Sequence, residues 1–441
     1  MSLQPQHLSI IIMALGAVLT LALVDPLTRR PQLGSVIGVL ALILAVVPVA
    51  TAAPESRLAV CVVAVAAAVA LLLTPQMELE RSGQRPEALA LVLLGASGGV
   101  ALATGTDLLQ LVIGLETLSL SVAVLTALGA SQRPLEAAFR YFVLAAISLA
   151  TFLYGIGLVS LSGAPLALAG GGAAPSGTLY TAGVILVGLG IVFELAVVPL
   201  QWGLLDVYTA APPATAGYAM ATAKVAAVLA LARLAAAVGG TLDVPLIAIG
   251  VLSIAWGTFG ALAQRDLRRM LAYSAVVNAG FVALALGCGA DGRAAAVFYV
   301  VVYAATSLLL FAALAGRGTG PLRLSDISAE RLGPLRAAGL AVGLLSLAGI
   351  PPAPGFWAKL AVLGPSWHAA GAWPTAIAVL GGVAGVLYYL RALPDLLAAA
   401  REGAVLRPVA GAAVVLAGVA VVALGLAPGL IWRLADMAGG G

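Results

Sequence analysis

Charge is sparse in this chain. Only 9% of its 441 residues are Asp, Glu, Lys or Arg, whereas 62% are apolar and the mean hydropathy is +1.12. A soluble domain is excluded, because so little polar surface could not cover so large a core. Cysteine is almost missing. Cys61 and Cys288 lie in separate apolar runs, which argues against a disulfide framework or a metal site and for two buried thiols acting as small hydrophobes. No CxxC cluster, Gly-rich nucleotide loop or haem-ligand pair occurs, so the sequence offers no evident seat for a redox cofactor. Lysine is just as rare: of 22 basic residues only Lys224 and Lys359 are lysines, and both stand inside apolar stretches.

What the sequence has in quantity is long apolar runs. They recur at about 18 to 25 residues, enough for a helix to cross a hydrocarbon core of roughly 30 Å. The period-two alternation of a membrane barrel is absent, so the expected fold is all-α, a polytopic helical bundle in the lipid bilayer. The first run, from about His7 to Val24, has no basic segment before it and is expected to be a retained helix. Breaking the chain at charges, Gly/Pro clusters and polar loops gives fourteen spans, beginning near residues 7, 33, 58, 86, 107, 134, 178, 213, 244, 270, 294, 337, 372 and 408. The segment "GGGAAPSG" at 170–177 reads as a flexible loop.

The net charge of +4 serves here as a topology signal; it does not point to nucleic acid. If the spans alternate in direction, fourteen arginines between Arg29 and Arg407 share one side, against Arg57, Arg293 and Arg433 on the other. Such a bias places the arginine-rich side in the cytoplasm and both termini outside it.

Two spans carry internal prolines. Span 7, "GLGIVFELAVVPLQWGLLDVY", is broken near Pro199, and span 12, "LLSLAGIPPAPGFWAKLAVL", at Pro351, Pro352 and Pro354. Each is fourth in a group of five, spans 4–8 and 9–13. An odd group size makes the second group start on the opposite face, which is the arithmetic of an inverted repeat, and transporters place ion sites at such matched breaks. The expected divisions are 1–80, a repeat at 86–238, a second repeat at 241–400, and a C-terminal helix at 405–441.

Ionisable groups at membrane depth are costly and are retained where they pair or line a polar path. Glu116 in "LVIGLETLSLSV" lies about 14 Å into span 5 and Lys224 about 16 Å past Pro213, both near the midplane. Glu194 sits one turn before the break at Pro199, and Lys359 follows the break in span 12. Arg140, six residues past Pro134, is shallow enough to snorkel. Arg233 and Arg391 lie near span ends and read as anchors; Asp206 and Tyr208 could cap or line the first break. Lysine suits proton transfer because desolvation and a neighbouring carboxylate move its affinity for a proton in opposite directions, whereas arginine stays charged.

These residues carry a family resemblance. The segments "GLETLSL" (114–120), "EAAFRYFVLAAISLATFLYG" (136–155), "LLDVYTAAPPATAGYAMATAKVAA" (204–227), "QRDLRRMLAYSAVVNAGF" (264–281), "LSLAGIPPAPGFWAKL" (345–360) and "YYLR" (388–391) occur in the order seen in the antiporter-like membrane subunits of respiratory complex I. The chain resembles most the N type (subunit 2) of NADH:quinone oxidoreductase, over about residues 100–395. The DVY segment favours that type, and after span 14 no length remains for the lateral helix of the L type.

The resemblance implies a proton-translocating subunit of fourteen helices in the bacterial inner membrane, coupled to quinone chemistry elsewhere, with FMN and Fe–S clusters in partner subunits of the same assembly. Glu116, Lys224 and Lys359 match the family's span 5, 8 and 12 charges. Three positions depart: Glu194 stands where lysine is usual, Arg140 replaces a lysine, and Asn278 occupies a histidine position. Arg140 and Lys224 would then balance Glu116 and Glu194, with a carboxylate carrying the proton; the other reading is a subunit whose own pumping is weakened. A multisubunit Na⁺/H⁺ antiporter and a membrane-bound hydrogenase or ferredoxin-driven complex are alternatives, since their components share the same repeats.

Overall fold

The computed structural model describes the chain except residues 1–3, 24–30, 75–76, 78–83, 130, 169–176, 319, 330–331, 401–407 and 440–441. Nearly all of the "GGGAAPSG" segment therefore lies outside the described residues, as do Arg29, Arg30, Arg81, Arg331, Arg401 and Arg407 of the topology argument.

The helices follow in the order α1 (Pro5–Leu23), α2 (Pro31–Val46), α3 (Pro54–Leu73), α4 (Arg85–Thr104), α5 (Leu108–Ala127), α6 (Gln132–Leu161), α7 (Thr178–Val192), α8 (Trp202–Ala210) and α9 (Pro213–Ala237). The second half of the chain supplies α10 (Asp243–Ala263), α11 (Leu267–Leu286), α12 (Gly289–Leu314), α13 (Pro334–Ala348), α14 (Pro354–Ala369), α15 (Ala372–Leu390), α16 (Leu393–Ala399), α17 (Pro408–Leu426) and α18 (Pro428–Gly439). Proline opens several of them, among them α3, α9, α13 and α14, a position where its missing N–H costs nothing and its fixed φ suits the helix.

Thirteen of the described segments are long and apolar enough to cross a membrane; the shorter Pro334–Ala348, resumed as α14, makes the fourteenth. The chain is thus an all-α, multi-pass membrane protein. Burial sorts the helices. In α9, α11 and α12 about nine-tenths of the span is buried, while only a third of α1, α2, α6 and α15 is. The outer helices turn Leu, Val and Phe outward, including Phe139, Ile147, Val383 and Leu387, as a lipid-facing surface requires. One expectation fails here: Cys61 is exposed and only Cys288 is buried. Residues 57, 61 and 65 recur at one turn along α3, and Arg57 and Val65 are exposed with Cys61, so helical periodicity sets the thiol on the outer face.

Two sets of features repeat. Asp107 and Asp266 each cap the helix that follows, accepting from Gln110 N at 2.9 Å and Arg269 N at 2.8 Å. Each also lies in a short antiparallel bridge to the chain before a broken span, Asp107 with Ala167 and Asp266 with Arg323. The breaks match as well. α7 ends in the 3-10 turn Phe193–Leu195 followed by left-handed Ala196 and a cis bond before Pro199; α13 ends in left-handed Gly349 followed by a cis bond before Pro352.

Candidate functional site

At the first break the helix runs out of backbone donors. Pro199 has no N–H, and the N–H of Val198 turns aside to Ser253 Oγ at 2.9 Å. The carbonyl of Leu195 is left free and receives the ammonium of Lys224 from α9. A cation at the C-terminal end of a half-helix meets both the unpaired carbonyls and the negative end of the helix dipole. Lys224 is buried, donates a second hydrogen bond to Ala275 O at 3.3 Å, and faces the rings of Tyr303 and Tyr208 at 5.6 and 5.9 Å. These cation–π contacts hold the charge without a counter-ion.

Glu194 sits in the turn itself and is fully buried. One carboxylate oxygen, Oε1, accepts from Ser119 of α5 and from Tyr141 of α6, the latter at 3.0 Å. The other, Oε2, has no partner among the described residues. Glu116, half-buried near the middle of α5, lies one turn before Ser119 and acts electrostatically on Glu194, as does Lys224. Gly114 lets α5 come this close to α4, since a Cβ there would stand 2.4 Å from Leu102 N. Glu194 and Lys224 do not form an ion pair, unlike Arg140–Asp206 and Arg233–Glu55.

The second break repeats the arrangement with a different residue. Lys359, on α14, donates to Leu347 O at 2.7 Å and Ala348 O at 3.1 Å, the last carbonyls of α13. Gly349 is required there twice over. Its φ of +78° is left-handed, and a Cβ would meet Lys359 Nζ at 3.3 Å. Beside Lys359 is a cavity of about 10 Å³ lined by Asn278, Tyr299, Tyr303, Thr306 and Ser346, the room one water needs.

A buried polar network adjoins the Lys359 cavity. Tyr299 donates to Asn278 Oδ1 at 2.7 Å, Asn278 Nδ2 donates to Ser274 O at 2.7 Å and Tyr389 OH at 3.3 Å, and Ser274 bonds Tyr389. α11 carries Ala275 toward Lys224 and Asn278, one turn later, toward the Lys359 cavity.

The structure thus brings Glu116, Glu194 and Lys224 together, and Tyr303, whose ring faces Lys224, also lines the cavity beside Lys359. Arg140 stands apart. Its side chain is 63% exposed on α6 and bonds Asp206 of α8 at 3.1 Å, so its charge is spent on Asp206 and does not reach Glu194. Tyr208 lines the break instead of capping it. Arg391 is a helix cap, donating to the carbonyls of Leu262 at 2.9 Å and Ala261 at 3.1 Å. Arg233 lies 4.0 Å from Glu55. Arg268, counted in a loop by the hydropathy reading, is a buried residue of α11. Sequence reasoning passed over Ser119, Tyr141, Tyr299 and Tyr303. Ser119 follows Glu116 at one helical turn and Tyr299 and Tyr303 are spaced by four, which is the signal that could have found them. No group of three or more His, Cys, Asp or Glu converges among the described residues.

Residues 105–386 match the family described as NADH:quinone oxidoreductase/Mrp antiporter, TM. The chain belongs to this family. It is 38% identical to NADH-quinone oxidoreductase subunit N of Cereibacter sphaeroides over 324 residues, 71% of this chain and 70% of that protein. It is likewise 38% identical over 369 residues to NADH-quinone oxidoreductase subunit 14 of Thermus thermophilus, covering 82% of each. A chain in the structure of respiratory complex I from Thermus thermophilus with bound Aureothin superposes with a TM-score of 0.84 at 31% identity, covering 97% of this chain and 99% of that one. The family includes both oxidoreductase and antiporter subunits, and the two curated relatives named here are oxidoreductase subunits.

Proposed function

We propose that the chain is the N-type, proton-translocating subunit in the membrane arm of a NADH:quinone oxidoreductase. One observation carries the reading: each of the two lysines holds the carbonyls freed by a helix break, and the buried Tyr303 stands beside both. Lys224 can lose its proton without leaving an orphaned carboxylate, because no counter-ion is fixed to it. Glu194 Oε2, without a partner, is the oxygen free to take or give that proton, while Ser119 and Tyr141 hold Oε1 and set the carboxyl plane. Glu116 biases this exchange by its charge, and Lys359 receives the proton beyond Asn278 and Tyr299. Arg140, always protonated, contributes a fixed charge held by Asp206 and does not carry the proton.

In this reading the subunit works beside other membrane-arm subunits in the bacterial inner membrane with both termini outside the cytoplasm, and the FMN, Fe–S and quinone chemistry belongs to its partners. The matched caps, bridges and breaks support division into inverted repeats at 86–238 and 241–400.

The test is Glu194→Gln in the intact complex, reconstituted in vesicles. Gln keeps the shape and cannot exchange a proton, so flux through this chain should fall about a hundredfold or more and protons translocated per NADH should drop while electron transfer continues. An unchanged ratio would sink the relay.

A further inference from the structure

Arg268 does not behave as a loop cation. It is the second residue of α11 and only 3% exposed. Its Nη2 donates to the carbonyls of Tyr208, at 3.3 Å, and Ala211. These are the carbonyls at the end of α8, and the next two residues, Pro212 and Pro213, have no N–H with which to help close the corner. Nε and Nη1 are buried with no hydrogen-bond partner among the described residues. Among the described residues no carboxylate forms an ion pair with the guanidinium. Asp266, which acts on it electrostatically, commits Oδ1 to Arg269 N at 2.8 Å and Oδ2 to Leu322 N at 2.5 Å, and Arg317 nearby is a like charge.

A buried cation with no ion pair is expensive to keep, and a topology signal would be met equally well by an exposed arginine. What the burial achieves is a clamp. Tyr208, held through its carbonyl, presents its ring to Lys224 Nζ at 5.9 Å. Lys224 in turn donates to Ala275 O at 3.3 Å. Arg268 and Ala275 are two turns apart on one face of α11, so a single helix of the second half fixes both the end of α8 and the ammonium it faces.

We propose that Arg268 is a positioning residue for Lys224, locking the α8 corner onto α11 so that Tyr208 stays against the ammonium. The proposal rests on the proton-translocation reading. It is tested in the intact complex in vesicles by Arg268→Gln, Tyr208→Leu, the double variant, and Lys224→Met as reference, reading protons translocated per electron beside electron-transfer rate. Arg268→Gln and Tyr208→Leu should each lower the ratio by a similar factor, and the double variant should be no lower than either, since both break one linkage. A wild-type ratio in Arg268→Gln, with Lys224→Met impaired, overturns the clamp, and so do losses that multiply in the double variant. Lys224→Met without effect removes the relay reading itself. If Arg268→Gln does not assemble, Arg268→Lys, with its shorter stem, is read the same way: a lowered ratio that Tyr208→Leu does not lower further supports the clamp, and a wild-type ratio overturns it.

Discussion

Lys224 and Lys359 hold equivalent carbonyls from non-equivalent places. Lys224 reaches Leu195 O from the helix that follows the first broken span; Lys359 reaches Leu347 O and Ala348 O from the second half of its own broken span. The equivalence lies in the free carbonyls, which any interrupted helix presents, and not in the residue that meets them.

The two lysines should therefore fail alike when their charge is removed. Lys224→Met or Lys359→Met leaves half-helix carbonyls buried and unpaired, a loss of about 1–3 kcal/mol each, and also removes the proton carrier. Vesicle measurements should show a lower proton-to-electron ratio in both. A normal ratio in the Lys359 variant would confine the relay to the first half of the chain.

The two hydroxyls on Glu194 should be separable from the proton itself. Ser119→Ala and Tyr141→Phe each remove one donor to Oε1 and should lower stability by about 1 kcal/mol, with a slowed but not abolished proton flux. Because both bonds converge on one oxygen, the double variant should depart from additivity. Thermal melting of the purified assembly reads the first effect and vesicle acidification the second.

The left-handed residues at the breaks predict opposite responses. Ala196 has a φ of 62°, a conformation that glycine adopts without penalty, so Ala196→Gly should be neutral or stabilising by up to about 1 kcal/mol. Gly349→Ala should cost about 1 kcal/mol for the same reason and should also displace Lys359, whose Nζ lies 3.3 Å from the added Cβ. Equal melting temperatures for the two variants would contradict this account.

The capping aspartates differ in load. Asp107→Ala removes one helix cap, worth about 1 kcal/mol. Asp266→Ala removes a cap and also the acceptor for Leu322 N at 2.5 Å, so its destabilisation should exceed that of Asp107→Ala in the same melting assay. The reverse order would show that the bridge to residue 323 is not held by Asp266.

Partner identity is open to direct test. Isolated in mild detergent, the chain should bring with it flavin and iron–sulfur subunits detectable by mass spectrometry. Recovery with only small membrane proteins would favour a cation/proton antiporter instead.

Sequence alone determined the fourteen spans and the two proline breaks, and singled out ionisable residues inside the spans, because these are local properties. A hydropathy window measures transfer to lipid, and a proline lacks its N–H wherever it stands. One displaced start is instructive: hydropathy began α11 near residue 270, leaving Arg268 in a loop, because a window averages over a helix and cannot see one buried arginine at its end. Tertiary structure decided the pairings. Whether Lys224 meets Glu194 or the carbonyl of Leu195, and whether Arg140 turns to Glu194 or to Asp206, depends on rotation about each helix axis, where one residue is about 100°, and on how closely distant helices approach. Neither quantity is written in any single span.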